Sequence, residues 1–452
     1  SFKSNTDKME NKSRRLFLKN SAITIAGAGL YGTIPHSLRA STPASDRINI
    51  GVIGVNWWGI ENMQHMLRAD PGVQCIALCD VDQVRLKEQA AVLKKEFQER
   101  AESIRFYADF RKFLENKDID GVIIATPDHW HAYMFAEACK AGKAIYVEKP
   151  VGRTIAECRL MVEIQRKYQN VATTGLWQIS LGYFTDAFNI LKTGILGNVY
   201  KVHCWIPGNT APVIYDTAPQ PVPETLDYNM WIGPARYRPY NSHRFHRQWR
   251  NYWDFGGGQQ TDWVHYLDSA FDGLLALGNS REYPKTVFSV GYRHPDTMTE
   301  TPRVQTSVFQ FDKYHVVWEQ QNTQLYNRPD GVAWIGSNGT LICNRTGYEI
   351  IPQNDANGKP LIKPEVVNGL YGNQHNHMIN WAECIRNNNP NTNGTIEKGC
   401  YATEVACIAN ISHRSGGKSL NYLADQMKFQ DNIEAGAYIY PDYQNGWEFP
   451  KV

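Results

Sequence analysis

Between Arg47 and Thr173, short and almost wholly apolar runs alternate with longer stretches whose apolar positions recur every three or four residues. "RINIGVIG", "VQCIALCDVD", "IDGVIIATPDHWHA" and "AIYVEKP" read as strands that run into polar or glycine-containing turns. "IRFYADFRKFLE" reads as a short strand followed by a helix. Between them, "IENMQHMLRAD", the charged stretch from Gln83 to Glu102, "MFAEACKAGK" and "TIAECRLMVEIQRKY" have helical spacing. Strands that alternate with helices predict a parallel sheet covered on both faces. Right-handed crossovers then give a doubly wound, Rossmann-type domain. After about Thr173 the period changes. "NVYKVHCWI", "KTVFSVGYRH", "RVQTSVFQFD", "YHVVWEQQN" and "GVAWIGSNGTLICN" predict a large, mostly antiparallel sheet able to carry a pocket on one face. "HNHMINWAECIRN" and "GCYATEVACIANISHRS" look helical, and residues 420–452 show no period that assigns an element. The fold class is α/β. A chain of 452 residues is too long for one ordinary core.

The first strand carries the first chemistry. In "VIGVNWWGIEN", Gly54 and Gly59 stand at the first and third positions of a dinucleotide-binding G-x-G-x-x-G, and Asn56 replaces the middle glycine. Asn tolerates unusual backbone angles better than most residues, so the turn survives the change. Backbone N–H groups at the start of the following helix suit a pyrophosphate. Trp57 and Trp58 either cover the diphosphate or cap the turn. Asp80 closes the second strand, where a carboxylate accepts from a ribose 2′-OH and repels a 2′-phosphate, which favours NAD over NADP. Two further strand ends agree. "ATPDHWHA" puts Thr126, Pro127 and His131 at a carboxyl edge, and "YVEKP" puts Glu148, Lys149 and Pro150 at another. In open α/β sheets, ligands sit at that edge. His129 and His131 form an H-x-H pair without a nearby cysteine or carboxylate cluster, so no metal is expected.

Composition narrows the partners. The formal charge of +2 offers no large basic surface for nucleic acid, and no apolar run is long enough for a membrane span. The 13 Trp and 24 Tyr allow sugar stacking, although most such rings belong in a core. Arg14 and Arg15 follow Ser13 and precede Phe17, Leu18, Lys19 and the mildly apolar Ser21–Leu30, a pattern that resembles a twin-arginine export signal. A periplasmic address follows as an expectation. The first forty residues carry seven basic and two acidic residues, so their removal takes the net charge from +2 to −3. Nine cysteines lie scattered without a C-x-x-C pair, and buried free thiols are the expected state.

Together, Gly54-x-Asn56-x-x-Gly59, "ATPDHWHA", "EKP" and the later "WDFGGGQQTDWVHYLD" resemble the Gfo/Idh/MocA oxidoreductases, a group that includes glucose–fructose oxidoreductase and inositol dehydrogenases. The resemblance runs from about Ile48 to Ser415. The chain then divides into a twin-arginine signal and linker over 1–43, an NAD-binding Rossmann domain over 44–172 and a substrate and oligomerisation domain over 173–452. The resemblance implies that Lys149 lies beside the nicotinamide and the substrate hydroxyl. Asp262 and His265 are implied as the catalytic pair on one helix turn, three residues apart where the family usually has four. Gln178 matches a position near the nicotinamide, and Trp177 and Tyr183 are candidate sugar contacts. In the implied mechanism His265 accepts the proton of a ring hydroxyl, Asp262 orients it or stabilises its charge, and Lys149 steadies the same oxygen. Dimers or tetramers through the second sheet are the family's habit.

Three functions remain open on this reading. The first is an exported oxidoreductase that acts on a ring hydroxyl of a sugar or glycoside with a tightly bound, recycled NAD. The second is a redox-neutral glycosidase that oxidises, eliminates, hydrates and reduces. The third is a noncatalytic sugar-binding protein.

Overall fold

A computed structural model describes residues 46–209, 213–216, 218–321, 324–430 and 432–452. The twin-arginine segment lies outside the described residues. The first sheet is built from β1 (Ile48–Ile53), β2 (Val73–Cys79), β3 (Arg105–Tyr107), β4 (Gly121–Ile124), β5 (Ala144–Val147) and β6 (Ala172–Thr174). Its order is β3-β2-β1-β4-β5-β6, with every pairing parallel. Five helices cross between these strands: α1 (Trp58–Ala69), α2 (Gln83–Phe97), α3 (Phe110–Leu114), α4 (Asp128–Lys140) and α5 (Ile155–Tyr168). Strands β4 and β5 are buried along their whole length, as a sheet covered on both faces requires. Capping fixes helix starts. Asp82 accepts from the N–H groups of Val84 and Arg85, and Thr154 forms a capping box with Glu157. Helix α4 begins at Asp128, six residues before the apolar run that announces it in the sequence. Pro127 fixes the entry angle and Asp128 supplies an acidic first turn.

The second half starts with α6 (Gly182–Lys192), β7 (Val199–Pro207), α7 (Tyr228–Ile232), α8 (Gly258–Asp262) and α9 (His265–Ala276). Strands β8 (Thr286–Tyr292), β9 (Val304–Gln310), β10 (His315–Gln321), β11 (Gly331–Gly336), β12 (Gly339–Asn344), β13 (Gly347–Pro352) and β14 (Glu365–Asn368) follow. Then come α10 (His375–Arg386), α11 (Ile396–Arg414), β15 (Leu420–Leu423) and β16 (Lys428–Phe429). They make a ten-stranded sheet of order β14-β13-β12-β11-β7-β10-β9-β8-β15-β16, antiparallel except between β7 and β10. One face carries a core that includes Trp318, Trp334, Phe271 and Phe309.

Residues 48–452 form one compact unit, and three later segments return to the first sheet. Helix α11 is buried almost all round, packed against both α5 and β8. Helix α10 lies on α1, its Trp381 against Tyr146 and its Arg386 on Asp70 at 2.6 and 2.9 Å. The aromatic stretch without a readable period also returns. Trp447 packs on Phe110, Trp130 and Tyr133, and Tyr443 donates to Glu157 at 3.1 Å. All nine cysteines are free and buried.

Candidate active site

Four strand ends of the first sheet converge at its carboxyl edge. After β1, Gly54 adopts φ +86°, and a Cβ there would lie 2.6 Å from the Ala125 carbonyl oxygen. A Cβ on Gly59 would lie 1.9 Å from the Gly54 oxygen, so glycine is required where α1 leaves the turn. Trp57 precedes α1 at φ 27° and gives it no side-chain cap, which leaves first-turn N–H groups available to an anion. After β2, Asp80 accepts from Val55 N at 2.8 Å and Asp82 N at 2.9 Å. Burial raises its carboxyl to about 6, against the pull of those two N–H groups. After β4, the hydroxyl of Thr126 is buried without a partner. After β5, Glu148 is buried and accepts from Trp58 Nε1 at 2.7 Å, Asn62 Nδ2 at 2.7 Å and Lys149 N at 3.0 Å. It ties the lysine strand to the glycine turn.

Lys149 Nζ donates to the Asp262 carbonyl at 2.7 Å and to Asp262 Oδ1 at 2.9 Å. Arg250 Nε donates to the same Oδ1 at 3.1 Å. Burial opposes ionisation of Asp262, but the two cations outweigh it and hold the carboxyl well below the usual range. Asp262 and His265 do not share one helix turn. Helix α8 ends at Asp262 and α9 begins at His265, with Trp263 and Val264 in the break. Asp262 and His265 still line the same cavity, but no hydrogen bond joins them, so the orienting role expected for Asp262 is not seen. His265 Nδ1 is buried without a partner. Burial first, then the charges of Arg345, Lys149 and His377, hold its pKa well below the ordinary value. The ring is neutral at pH 7.

Two cavities adjoin. One of about 110 Å³ touches Gly54, Asn56, Asp80, Pro127, Phe245 and Trp249. The other, about 930 Å³, is lined by Lys149, Trp177, Asp262, Trp263, His265, Arg345 and Tyr371, among others. Trp57, Trp58, Thr126, Arg247 and Arg250 belong to both. The smaller cavity is narrow because an insert between β7 and α8 crosses the groove. The insert has its own core of Leu226, Tyr228, Trp231, Phe245, Trp249 and Phe255. Its Asp227 N donates to the Val81 carbonyl at 3.0 Å. His246 lies 3.4 Å from Asn56 and 3.6 Å from Asp82, and Arg247 sits 4.7 Å over Trp57.

Three residues expected at the ligand are placed elsewhere. His131 faces away from both cavities, with its ring nitrogens 2.7 Å from the Pro150 carbonyl and 2.9 Å from the Thr126 carbonyl. It braces one strand end against the other. Gln178 is fully buried, donates to Ser269 at 3.0 Å and accepts from Arg345 Nε at 2.8 Å, so it acts on the cleft through Arg345. Tyr183 lies outside the cleft and points its hydroxyl at the Leu370 carbonyl, 3.4 Å away. Trp177 does line the cleft, edge-on to His265 at 5.8 Å. Asp128, Arg250 and Arg345 are cleft residues that sequence reasoning missed. Asp128 lay inside the quoted "ATPDHWHA". The other two carry no local signal.

A sheet of order 3-2-1-4-5-6 with a glycine turn, an acid closing β2 and a lysine closing β5 defines a dinucleotide-binding Rossmann oxidoreductase architecture. The comparisons agree. The Gfo/Idh/MocA oxidoreductase family, NAD-binding Rossmann fold, matches residues 48–176, and the C-terminal α/β domain of that family matches residues 189–449. The chain belongs to the Gfo/Idh/MocA oxidoreductase family. A glycosyl hydrolase family 109 protein of Solibacter usitatus is 34% identical over 201 residues, 42% of this chain and 45% of its own. Inositol 2-dehydrogenase 1 of Saccharopolyspora erythraea is 27% identical over 158 residues, 35% of this chain and 45% of its own. The chain thus spans about half the length of the curated relatives it matches. Aldose-aldose oxidoreductase from Caulobacter crescentus shares the fold at 17% identity and a TM-score of 0.60, over 83% of this chain and 99% of that one. Levoglucosan dehydrogenase, solved with NADH and levoglucosan, does so at 15% identity and a TM-score of 0.60, over the same shares.

The residues present fit NAD. The Thr126 hydroxyl lacks a partner, the α1 N-terminus lacks a cap, and the glycine turn leaves no room for a Cβ.

Proposed function

We propose that this protein is an NAD-dependent oxidoreductase acting on a ring hydroxyl of a sugar or glycoside. The observation that carries the reading is Lys149 Nζ, held on Asp262 in a cleft walled by Trp177, Trp263 and His265. Gly54, Asn56, Trp57, Trp58, Gly59, Asp80, Thr126, Pro127 and Glu148 hold or brace the dinucleotide, which supplies a hydride acceptor when bound. Trp177 and Trp263 line the wall of the cleft that receives the sugar. Neutral His265, its Nδ1 unpartnered, accepts the hydroxyl proton. The Lys149 ammonium donates to the same oxygen and stabilises the charge that develops there. Asp262 keeps that ammonium in place rather than orienting the histidine. Lys149→Met is expected to retain NAD and lower turnover by about 10²–10³-fold. Turnover within threefold of the unchanged protein would discard the mechanism and revive a noncatalytic sugar-binding role.

A redox-neutral glycosidase is the second reading, favoured by the family 109 relative and by Asp128. Burial raises the Asp128 carboxyl well above the usual range, Arg250 opposes this, and Asp262 adds to it. Asp128 is thus a cleft carboxyl kept protonated, as a general acid requires. In this reading Asp128 gives its proton to the departing aglycone oxygen. Incubation with a nitrophenyl glycoside and no added acceptor separates the two. Nitrophenol release supports the glycosidase, and a keto-sugar supports the oxidoreductase. If the glycosidase holds, Asp128→Asn is expected to stop methanol release from a methyl glycoside, whose alkoxide must be protonated to leave, while solvent deuterium still enters the ring carbon next to the oxidised one.

The proposal extends to an exported, periplasmic enzyme that recycles a retained cofactor, tested by fusing residues 1–43 to a reporter that needs twin-arginine transport. It also extends to a homo-oligomer. Phe288, Val290 and Tyr292 expose one apolar face of β8, and light scattering reads the state directly.

A further inference from the structure

Arg345 follows β12 and reaches the wall of the large cleft. Its guanidinium lies 4.6 Å over the ring of Trp177, 5.5 Å over Trp263 and 5.8 Å over Tyr371. Two of its nitrogens are committed. Nε donates to Gln178 Oε1 at 2.8 Å and Nη1 to the Tyr371 hydroxyl at 2.6 Å. Both acceptors are neutral. Among the described residues no carboxylate lies within ion-pairing distance of Arg345, in contrast to Lys149 and Arg250, which share Asp262. The third nitrogen, Nη2, makes no hydrogen bond among the described residues. A guanidinium clamped by rings and two neutral acceptors, with one edge left over, is costly to leave without an anion. It is also pre-organised, since its rotamer is fixed before any ligand arrives. Trp177 carries Arg345 on its face and His265 at its edge, so the free edge and the proposed base flank one indole.

Resting on the reading of this cleft as a sugar site, we propose that Arg345 is a substrate subsite for an anionic group. The substrate is then a sugar or glycoside that bears a carboxylate or a sulfate ester away from the oxidised hydroxyl. The carboxylate of a uronic acid meets the requirement through a charge-assisted pair with Nη2. The proposal has a second attraction. Arg345 is one of the charges that hold His265 below its ordinary pKa, and an anion on the guanidinium cancels that effect. The anionic substrate relieves one of the charges acting on that ring, while burial, the first cause of the lowering, stays.

The test is a tryptophan-fluorescence titration of the NAD-saturated protein with glucuronate, glucuronamide, glucose 6-sulfate and glucose. Glucuronate is expected to bind at least 10-fold more tightly than glucuronamide and glucose, since a hydrogen bond to a charged group is worth about that much. The sulfate arm separates the two sources of charge. Tight glucose 6-sulfate binding widens the subsite to monoanions, and weak binding confines it to carboxylates, both in support. Arg345→Gln is expected to erase the difference between glucuronate and glucuronamide. If that variant fails to fold, the comparison of acid with amide on the unchanged protein still decides. Equal affinity for glucose, glucuronamide and glucuronate overturns the anionic subsite and leaves the sugar site standing. Failure of every sugar to bind overturns both.

Discussion

Asp80 illustrates how a single carboxyl sets both affinity and choice of cofactor. Its oxygens are shared between two backbone N–H groups and the cavity, and burial leaves it near pH 6. Ribose hydroxyls donate to the carboxylate form, so NAD binding expels the proton. NAD affinity is therefore expected to be flat between pH 7 and 8 and to weaken by up to about tenfold per unit below about 6. Discrimination against NADP should narrow over the same range, because a protonated Asp80 no longer repels a 2′-phosphate. Titration calorimetry with both nucleotides checks this, and Asp80→Asn should remove the pH dependence. Glu148 is the structural counterpart. It satisfies three donors from two elements at once, and its removal leaves them buried and orphaned. Glu148→Ala is expected to cost on the order of 3 kcal/mol, read from urea midpoints. Both acids were legible in the sequence because each closes an apolar strand. Arg345 was not, since the partner that fixes it, Gln178, is 167 residues away and only the fold joins them.

At the scale of elements, the turn between β1 and α1 shows what the altered fingerprint retains. Asn56 replaces the middle glycine without closing the site, but Gly59 admits no such exchange. Its Cβ would meet the Gly54 carbonyl, which cannot move without shifting β1. Gly59→Ala is expected to cost about 2 kcal/mol or more and to weaken NAD retention in the same preparation, checked by thermal melts with and without nucleotide. The strand–helix alternation was readable here because the central strands β4 and β5 are apolar and buried along their whole length. The α8 to α9 break was not. Asp262 and His265 are spaced as one helix would space them, and the interruption at Trp263 and Val264 leaves no mark in periodicity. The insert was equally hidden. Its core of aromatic rings is irregular in sequence and becomes a unit only when draped over the first sheet.

At the scale of the whole molecule, the insert is itself held from above. Asn445 Nδ2 donates to the carbonyls of Gly233 and Ala235 at 2.8 Å each, and Trp447 settles on Trp130 at 4.9 Å. Trp447→Ala is expected to lower stability by about 2–3 kcal/mol and to speed NAD loss more than sugar loss, measured by stopped-flow displacement. The order of synthesis then matters. Asn445 leaves the ribosome 212 residues after Gly233, the backbone it fastens. Until that clasp arrives, the insert rests on its own contacts with the first sheet, such as Asp227 N on the Val81 carbonyl, and lacks this fastening. Loading therefore belongs to the finished polypeptide, and a nascent chain halted before residue 433 should release NAD in a spin column while the completed one keeps it.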